Sequence, residues 1–375
     1  MVLFLPQAVV EACREQGVDL VVVGPGDPLA AGLANALKAA DIKVFGPSKE
    51  AARIESDKAW AKTFMDKYDI STAVHQTFTS PGEAKAFIKK SDWCGFAVKA
   101  SGLTAGKGVV VADTVISACA AVDTISDTFG AAAQTLVVEE KMHGEEISVL
   151  CFTDGTVVSV MPPAQDHQRL GDGDRGPNTG GMGAYCPYHL PSPALLETIK
   201  TDILEKAVCG LSTEGSPFVG VLYAGIMLTP AGPKVLEFNC RFGDPEAQVI
   251  LPLLHADLFE VMMACVEGRL GEASVAFKDD LSCVAVCVVS RGYPGSYPKG
   301  KAITGIDEVT KEKAAQVIHA GTKMAGDTLL TSGGQVLAVM VTDKALGQAA
   351  AMATQLAGRI AFEGATFRKD IASRT

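Results

Sequence analysis

No stretch of this 375-residue chain reaches the roughly 18 consecutive apolar residues that a transmembrane helix needs. Its opening, Met1-Val-Leu-Phe-Leu-Pro6, has no positive n-region and too little apolar length for a signal peptide. A cytoplasmic location is therefore expected. Among ten cysteines there is no C-x-x-C pair. Cys283 and Cys287 lie four apart inside an apolar run, where buried thiols are the plain reading, and no histidine stands at ligand spacing to suggest zinc. The pattern suits reduced thiols in a reducing compartment. No basic stripe offsets the net charge of −10, which argues against a nucleic-acid footprint. Anionic substrates stay open, because local Lys and Arg can still line a pocket. Internal repeats and low-complexity linkers are missing too.

What is present is a well-cored globular composition, with 48% hydrophobic and 20% charged residues. At about 150 residues per domain the length fits two or three domains. The order of elements predicts α/β followed by α+β. A short helix over 4–16 leads to an apolar strand at Val18–Val23, a Gly24-Pro-Gly-Asp-Pro28 turn, a helix at 29–40 and a strand at 42–46. This is βαβ logic entered in mid-motif, so a missing front is expected. An amphipathic helix is predicted over 49–69, with Lys58 and Lys62 at i and i+4, and further helices over 81–90, 116–129, 193–211, 248–268 and 346–362. Near residue 275 the pattern changes to a new α+β unit. The expected domains are 1–48, 49–275 (with a lid at about 75–145) and 276–375.

Three stretches carry chemistry. In Lys234-Val-Leu-Glu-Phe-Asn-Cys-Arg-Phe-Gly-Asp-Pro-Glu246 the pleat sends Glu237 and Asn239 to one sheet face, and Arg241 continues it. A carboxylate, an amide oxygen and a guanidinium make a seat for Mg²⁺ and phosphate. The polar outer face of an antiparallel strand accounts equally well for those three residues alone. The second stretch is Ser101-Gly-Leu-Thr-Ala-Gly-Lys-Gly108, which joins two predicted strands as a hairpin. It is neither a P-loop nor a dinucleotide fingerprint, because both need a following helix. A glycine hairpin can instead fold over a triphosphate, with Gly102, Gly106 and Gly108 freeing the backbone and Lys99 and Lys107 adding charge. Downstream, Glu140 and Glu146 are candidates for an adenine amino group and ribose hydroxyls; solvated hairpin acids are the bland alternative. The third is the glycine-dense tract 165–183, expected as a long substrate loop, where Asp166, Arg169, Asn178 and Thr179 could meet a polar ligand. His167 tempts as a base, yet a lone loop histidine is more often a hydrogen-bonding residue.

Together, Lys99–Gly108, Asp174–Tyr185 and Leu236–Glu246, with a closing Phe367-Arg-Lys-Asp-Ile371, resemble the phosphoribosylamine–glycine ligase (glycinamide ribonucleotide synthetase) family of ATP-grasp enzymes. The resemblance covers essentially the whole chain. It implies an ATP-grasp fold with a truncated N-terminal parallel α/β domain and a C-terminal α+β domain. It also implies ATP-dependent ligation of glycine to 5-phosphoribosylamine through glycyl phosphate, in de novo purine biosynthesis, with ATP and Mg²⁺ (or Mn²⁺) and without a covalent enzyme nucleophile. Carried over by motif, Glu237 and Asn239 would hold metal, and Arg241 would stabilise the transferring group. Lys58, Lys99 and the 102–108 loop would hold phosphates. Glu139, Glu140, Lys141, Met142 and Glu146 would hold adenosine, and the 166–183 tract, including Asp166 and Asn178, would face glycine and phosphoribosylamine. Fusion to other purine-synthesis domains is an implied partnership; nucleic acid and membrane are not. The family usually has Glu where this chain has Gly26, and its opening strand and glycine turn are not found here, so weakened phosphoribosylamine binding is expected. Other ATP-grasp carboxylate–amine ligases, or a non-catalytic isoform, are the competing expectations.

Overall fold

The computed structural model describes residues 6–104, 106–189 and 191–373. The first residues of the helix expected over 4–16, and Ala105 within the glycine loop, lie outside these. Two units emerge, one from 1–161, 191–242 and 257–274, the other from 162–190, 243–256 and 275–375. Residues 162–190 and 243–256, which the sequence groups with the central block, therefore pack with the C-terminal residues. Among the described residues no helix is long and apolar enough to cross a membrane.

In the first unit, Val21–Val22 and Val44–Phe45 pair in parallel, as the βαβ pattern requires. The single helix expected between them is two, Gly26–Ala30 and Leu33–Ala39. Gly32 breaks it by adopting φ 88°, a left-handed conformation that a continuing helix cannot use. The helix expected over 49–69 is likewise divided into Arg53–Ser56 and Lys58–Lys67. Asp57, at φ −139°, leaves the helical region and caps the second piece by accepting from the Trp60 N–H.

A four-stranded antiparallel sheet follows, in the order His75–Phe78, Leu136–Glu140, Phe96–Ala100, Val109–Ala112. Alternation sends Phe96, Val98, Ala100, Leu136 and Val138 toward the helices Pro81–Lys90 and Val115–Phe129, where they close a core with Ile88, Val122 and Ile125. Each such large side chain contributes roughly 1.5–3 kcal/mol on burial. The same alternation turns Lys99 and Glu139 to the opposite face.

A second antiparallel sheet runs Gly232–Asn239, Val219–Thr229, Glu145–Asp154, Val158–Val160. The helix expected over 193–211 is present, with a π-helical stretch at Lys200–Glu205. The one expected over 248–268 is not continuous. Ala247–Ile250 and Leu251–Leu253 end at an extended Leu254, and Asp257 caps a separate helix, Leu258–Val266. Pro252, without an N–H, fits only the first turn of a helix.

The second unit is built on Ser282–Ser290, flanked by Gln335–Asp343 and Gly183–Cys186, with Ala315–His319 and Gln165–Asp166 outside them. Helix Leu346–Ala357 packs on this sheet. The tract expected as a structureless loop is instead ordered: Arg169–Gly171 and Arg175–Asn178 form an antiparallel hairpin.

Candidate functional site

Lys58 and Lys99, two of the groups expected to hold phosphates, both lie in the first unit, beside Glu237 and Glu139 respectively. Lys99 and Glu139 lie on adjacent strands, Glu139 opposite Ala97 and Lys99 opposite Val137, so they are diagonal neighbours on one face. The Lys99 Nζ lies 3.0 Å from Glu139 Oε1. Lys62, one turn beyond Lys58, brings its Nζ to the same oxygen at 3.0 Å and donates to Thr72 Oγ1 at 2.6 Å. All three side chains are at most 5% exposed. Burial alone would raise the Glu139 carboxyl, but Lys99 and Lys62 outweigh it and hold it below the ordinary value. Burial presses the other way on the lysines. It pulls Lys62 down to about 8 despite Glu139, whereas for Lys99 the pull of Glu139 and Glu237 wins and the ammonium is favoured.

Lys99 also donates to the Leu236 carbonyl at 3.0 Å. A β-bulge makes this acceptor available: Gly225 pairs with Glu237 and Ile226 with Val235, which leaves Leu236 without a ladder partner. Beside it, Glu237 projects from the sheet, its side chain 42% exposed, with Lys58 Nζ at 4.0 Å. Lys58 is set by the Asp57 cap. Asp57 Oδ1 accepts from Ser101 Oγ at 2.9 Å, and the Lys58 N–H donates to the Ser101 carbonyl at 2.8 Å. The face carrying Glu237 and Asn239 also carries Gly225, Tyr223, Ser148 and Glu146, by register.

Arg241 Nη2 donates to Asn239 Oδ1 at 3.4 Å and lies 3.5 Å from Glu55 Oε1. Glu55 Oε2 accepts from the Cys240 N–H at 2.7 Å. Burial raises the Glu55 carboxyl, against the pull of Arg241. Glu55 was not singled out from sequence, nor was Lys62 except as a helix-face partner of Lys58. The one local signal for Glu55 is an acid two residues before a helix cap. Gly26 adjoins it: a Cβ there would come 3.0 Å from Glu55 Oε1.

In the glycine loop, the Gly108 N–H donates to Thr104 Oγ1 and the Gly102 N–H to the Ala132 carbonyl, both at 2.9 Å. A Cβ on Gly102 would stand 2.8 Å from Ala132 Cα. Gly106 has φ 75° and an open surround. The expectation that residues 139–142 act together is altered by the pleat. The Glu139 side chain is spent on the lysines, and Glu140 turns to the other face. Glu140, Lys141 and Met142 border a cavity of about 250 Å³ with His143, Thr229 and Lys234. Lys141 pairs with Asp113 at 2.5 Å. Among the described residues no cluster of three or more His, Cys, Asp or Glu is arranged to hold a metal by itself.

In the second unit, Asp166 lies on the short edge strand, opposite Ala184. Asn178 lies on the exposed strand of the hairpin, opposite Arg169. Thr179 N–H and Oγ1 both donate to the Gln168 carbonyl at 2.8 Å. Tyr293 and Gln335 hold Gly180 and Gly181 by their backbone. His167 is buried against Tyr185, a core position rather than a surface base.

Family models of phosphoribosylglycinamide synthetase match this chain in order: the N domain over residues 4–55, the ATP-grasp (A) domain over 56–247 and the C domain over 283–374. The chain belongs to the phosphoribosylglycinamide synthetase family. Among relatives in it, the phosphoribosylamine–glycine ligase of Rhodopirellula baltica is 45% identical over 374 residues, covering 98% of this chain and 86% of that one. The trifunctional purine biosynthetic protein adenosine-3 of Gallus gallus is 50% identical over 98% of this chain, which spans 37% of that protein's length. A crystal structure of phosphoribosylamine–glycine ligase from Thermotoga maritima superposes with TM-score 0.78 at 34% identity, covering 88% of this chain and 82% of that one. The ATP-grasp fold expected from the motifs is thus the fold of this phosphoribosylglycinamide synthetase family member.

Proposed function

We propose that the chain joins glycine to 5-phosphoribosylamine with ATP, giving glycinamide ribonucleotide, ADP and phosphate. The observation that carries this is the Lys99 ammonium. It is buried between two sheets, held by Glu139 on one and the Leu236 carbonyl on the other, next to Glu237. Two ammonium groups on one carboxylate leave a positive excess in a dry place, which suits a polyphosphate.

In this reading Lys58 and Lys99 grip ATP phosphates and the 102–108 loop covers them with backbone N–H groups. Residues 139–142 and Glu146 take adenosine, mainly by backbone at Glu139. Glu237 and Asn239 offer one carboxylate and one amide oxygen, the hard donors a Mg²⁺ or Mn²⁺ accepts while phosphates and water fill its other positions. Such an ion would neutralise phosphate charge. A carboxylate becomes an electrophile only when its oxygen is made a leaving group, so the γ-phosphoryl moves to glycine and the amine then attacks the glycyl phosphate. Arg241, braced by Glu55, would stabilise the charge on the transferring group. Asp166 and Asn178 would contact glycine or phosphoribosylamine. The trifunctional relatives favour attachment to further purine-synthesis domains as the partnership.

ADP formation that requires both glycine and phosphoribosylamine, and is lost in Glu237→Ala, is the expected result. ADP release independent of either substrate would overturn the assignment.

A further inference from the structure

Arg368 is the largest fully buried side chain of the C-terminal unit, 1% exposed. Its fork binds Asp370 twice, Nε to Oδ1 and Nη2 to Oδ2, both at 2.7 Å. Its remaining nitrogen, Nη1, reaches across to the hairpin, donating to the Arg169 carbonyl at 3.0 Å and to Asp174 Oδ1 at 2.9 Å. The hairpin answers in kind. The Gly173 N–H donates to Asp370 Oδ2 at 2.8 Å, and Asp172 Oδ1 accepts from the Lys369 N–H at 2.8 Å. Ile371, the next residue along the chain from Asp370, is 2% exposed. It fits the space left by Gly183, where a Cβ would stand 3.1 Å from it.

The tip so held is one that would not keep its shape by itself. Gly173, Asp174 and Gly176 all have positive φ, at 67°, 54° and 86°. For Asp174 this is a strained conformation, and residues 172–178 are exposed, with no core of their own. Burial opposes ionisation of Asp370, yet Arg368 and the Gly173 N–H hold its carboxyl well below the usual carboxylate range. The network is therefore charged and closed at neutral pH.

We propose that Arg368 and Asp370 are positioning residues: they pin the 169–178 hairpin in one conformation and through it set the affinity for glycine or phosphoribosylamine, leaving ATP affinity untouched. This rests on the functional reading above, in which Asn178 and its neighbours face those substrates. The test compares the wild-type chain with Arg368→Lys, which keeps charge but loses the fork, and with Asp174→Ala, Asp172→Ala and Asp174→Asn. The last three change only exposed residues, so they serve if Arg368→Lys does not fold. Amide exchange over 169–178 is read beside separate KM values for ATP, glycine and phosphoribosylamine. Faster exchange and a rise of about tenfold in KM for glycine or phosphoribosylamine, with ATP KM within about twofold, is expected for the Lys and Ala variants. Asp174→Asn, which keeps the acceptor, should keep the slow amide exchange of the wild type. Unchanged exchange overturns the proposal, and so does faster exchange with unchanged KM. A wild-type chain that makes no glycine-dependent ADP overturns the functional reading and the affinity statement with it, and exchange alone then decides the pinning.

Discussion

Two buried cation clusters in this protein have opposite charge balance. In the first unit, Lys62 and Lys99 share the single carboxylate of Glu139, two positive charges to one negative. In the second, Arg368 is shared by Asp370 and Asp174, one positive charge to two negative. The second closes on itself: fork, carboxylates and backbone N–H groups satisfy one another, and the product is a fixed hairpin. The first is left wanting an anion, and two sheets meet there that also present Glu237 and Asn239. A buried ion pair is weak evidence of stability, because desolvation offsets its attraction. A buried positive excess, which Glu237 and Glu146 offset only in part, is better evidence of a ligand, because an anion from outside lowers its cost.

The largest expected effect tests whether the positive excess serves catalysis. Glu237→Ala should cut glycine-dependent ADP formation about a hundredfold or more, the scale of losing one preorganised electrostatic contact. Thermal and urea midpoints should stay near wild type, since this side chain is 42% exposed.

Next comes the balance itself. Glu139→Gln leaves two buried ammonium groups without their carboxylate and should lower the unfolding free energy by roughly 3–5 kcal/mol in urea titrations. A loss well below that range would mean that Lys62 and Lys99 find other partners.

Lys62→Met removes the excess and leaves the neutral Lys99–Glu139 pair. Stability at neutral pH should be unchanged or higher, while ADP affinity falls about tenfold, the ~1.4 kcal/mol expected of one lost charge contact. The pH dependence sharpens this further. Folded Lys62 titrates at about 8 against an ordinary 10.5. Between those values the unfolded chain binds the extra proton, so the Lys62 contribution to stability rises with pH across that window. Over the same window the positive excess disappears and ADP affinity should fall. Urea midpoints and ADP titrations from pH 7 to about 10, taken as wild type minus Lys62→Met, should show these opposite slopes. Parallel slopes would remove Lys62 from the nucleotide seat.

The smallest effect belongs to the hairpin. Asp172→Ala deletes one hydrogen bond to the Lys369 N–H, and about 0.5–1.5 kcal/mol of stability should go with it. A loss as large as that of Glu139→Gln would mean that the two clusters are not as different as their charge balance says.

What could be read from the chain as a string follows from local periods. The two-residue step of a strand puts Glu237 and Asn239 on one face, and two apolar runs around a glycine loop announce a hairpin and not a P-loop. The apolar runs over 283–290 and 334–341 read as strands for the same reason, and the sheet has them at Ser282–Ser290 and Gln335–Asp343. Helix continuity was less legible. The breaks at Gly32 and Asp57 depend on single backbone angles, and the interruption after Leu253 separates residues that join different units. Pairings between remote residues had no signal at all. Lys58 and Lys62 look alike on a helical wheel, yet one faces Glu237 and the other is buried on Glu139. Nothing near Arg241 marks Glu55 as its brace, and Arg368 meets Asp174 across 194 residues of chain. Local geometry repeats with the backbone and is written in the order of residues. Which buried charges share a partner is decided only when separate elements pack and exclude water, because that alone sets the cost of leaving any one of them unpaired.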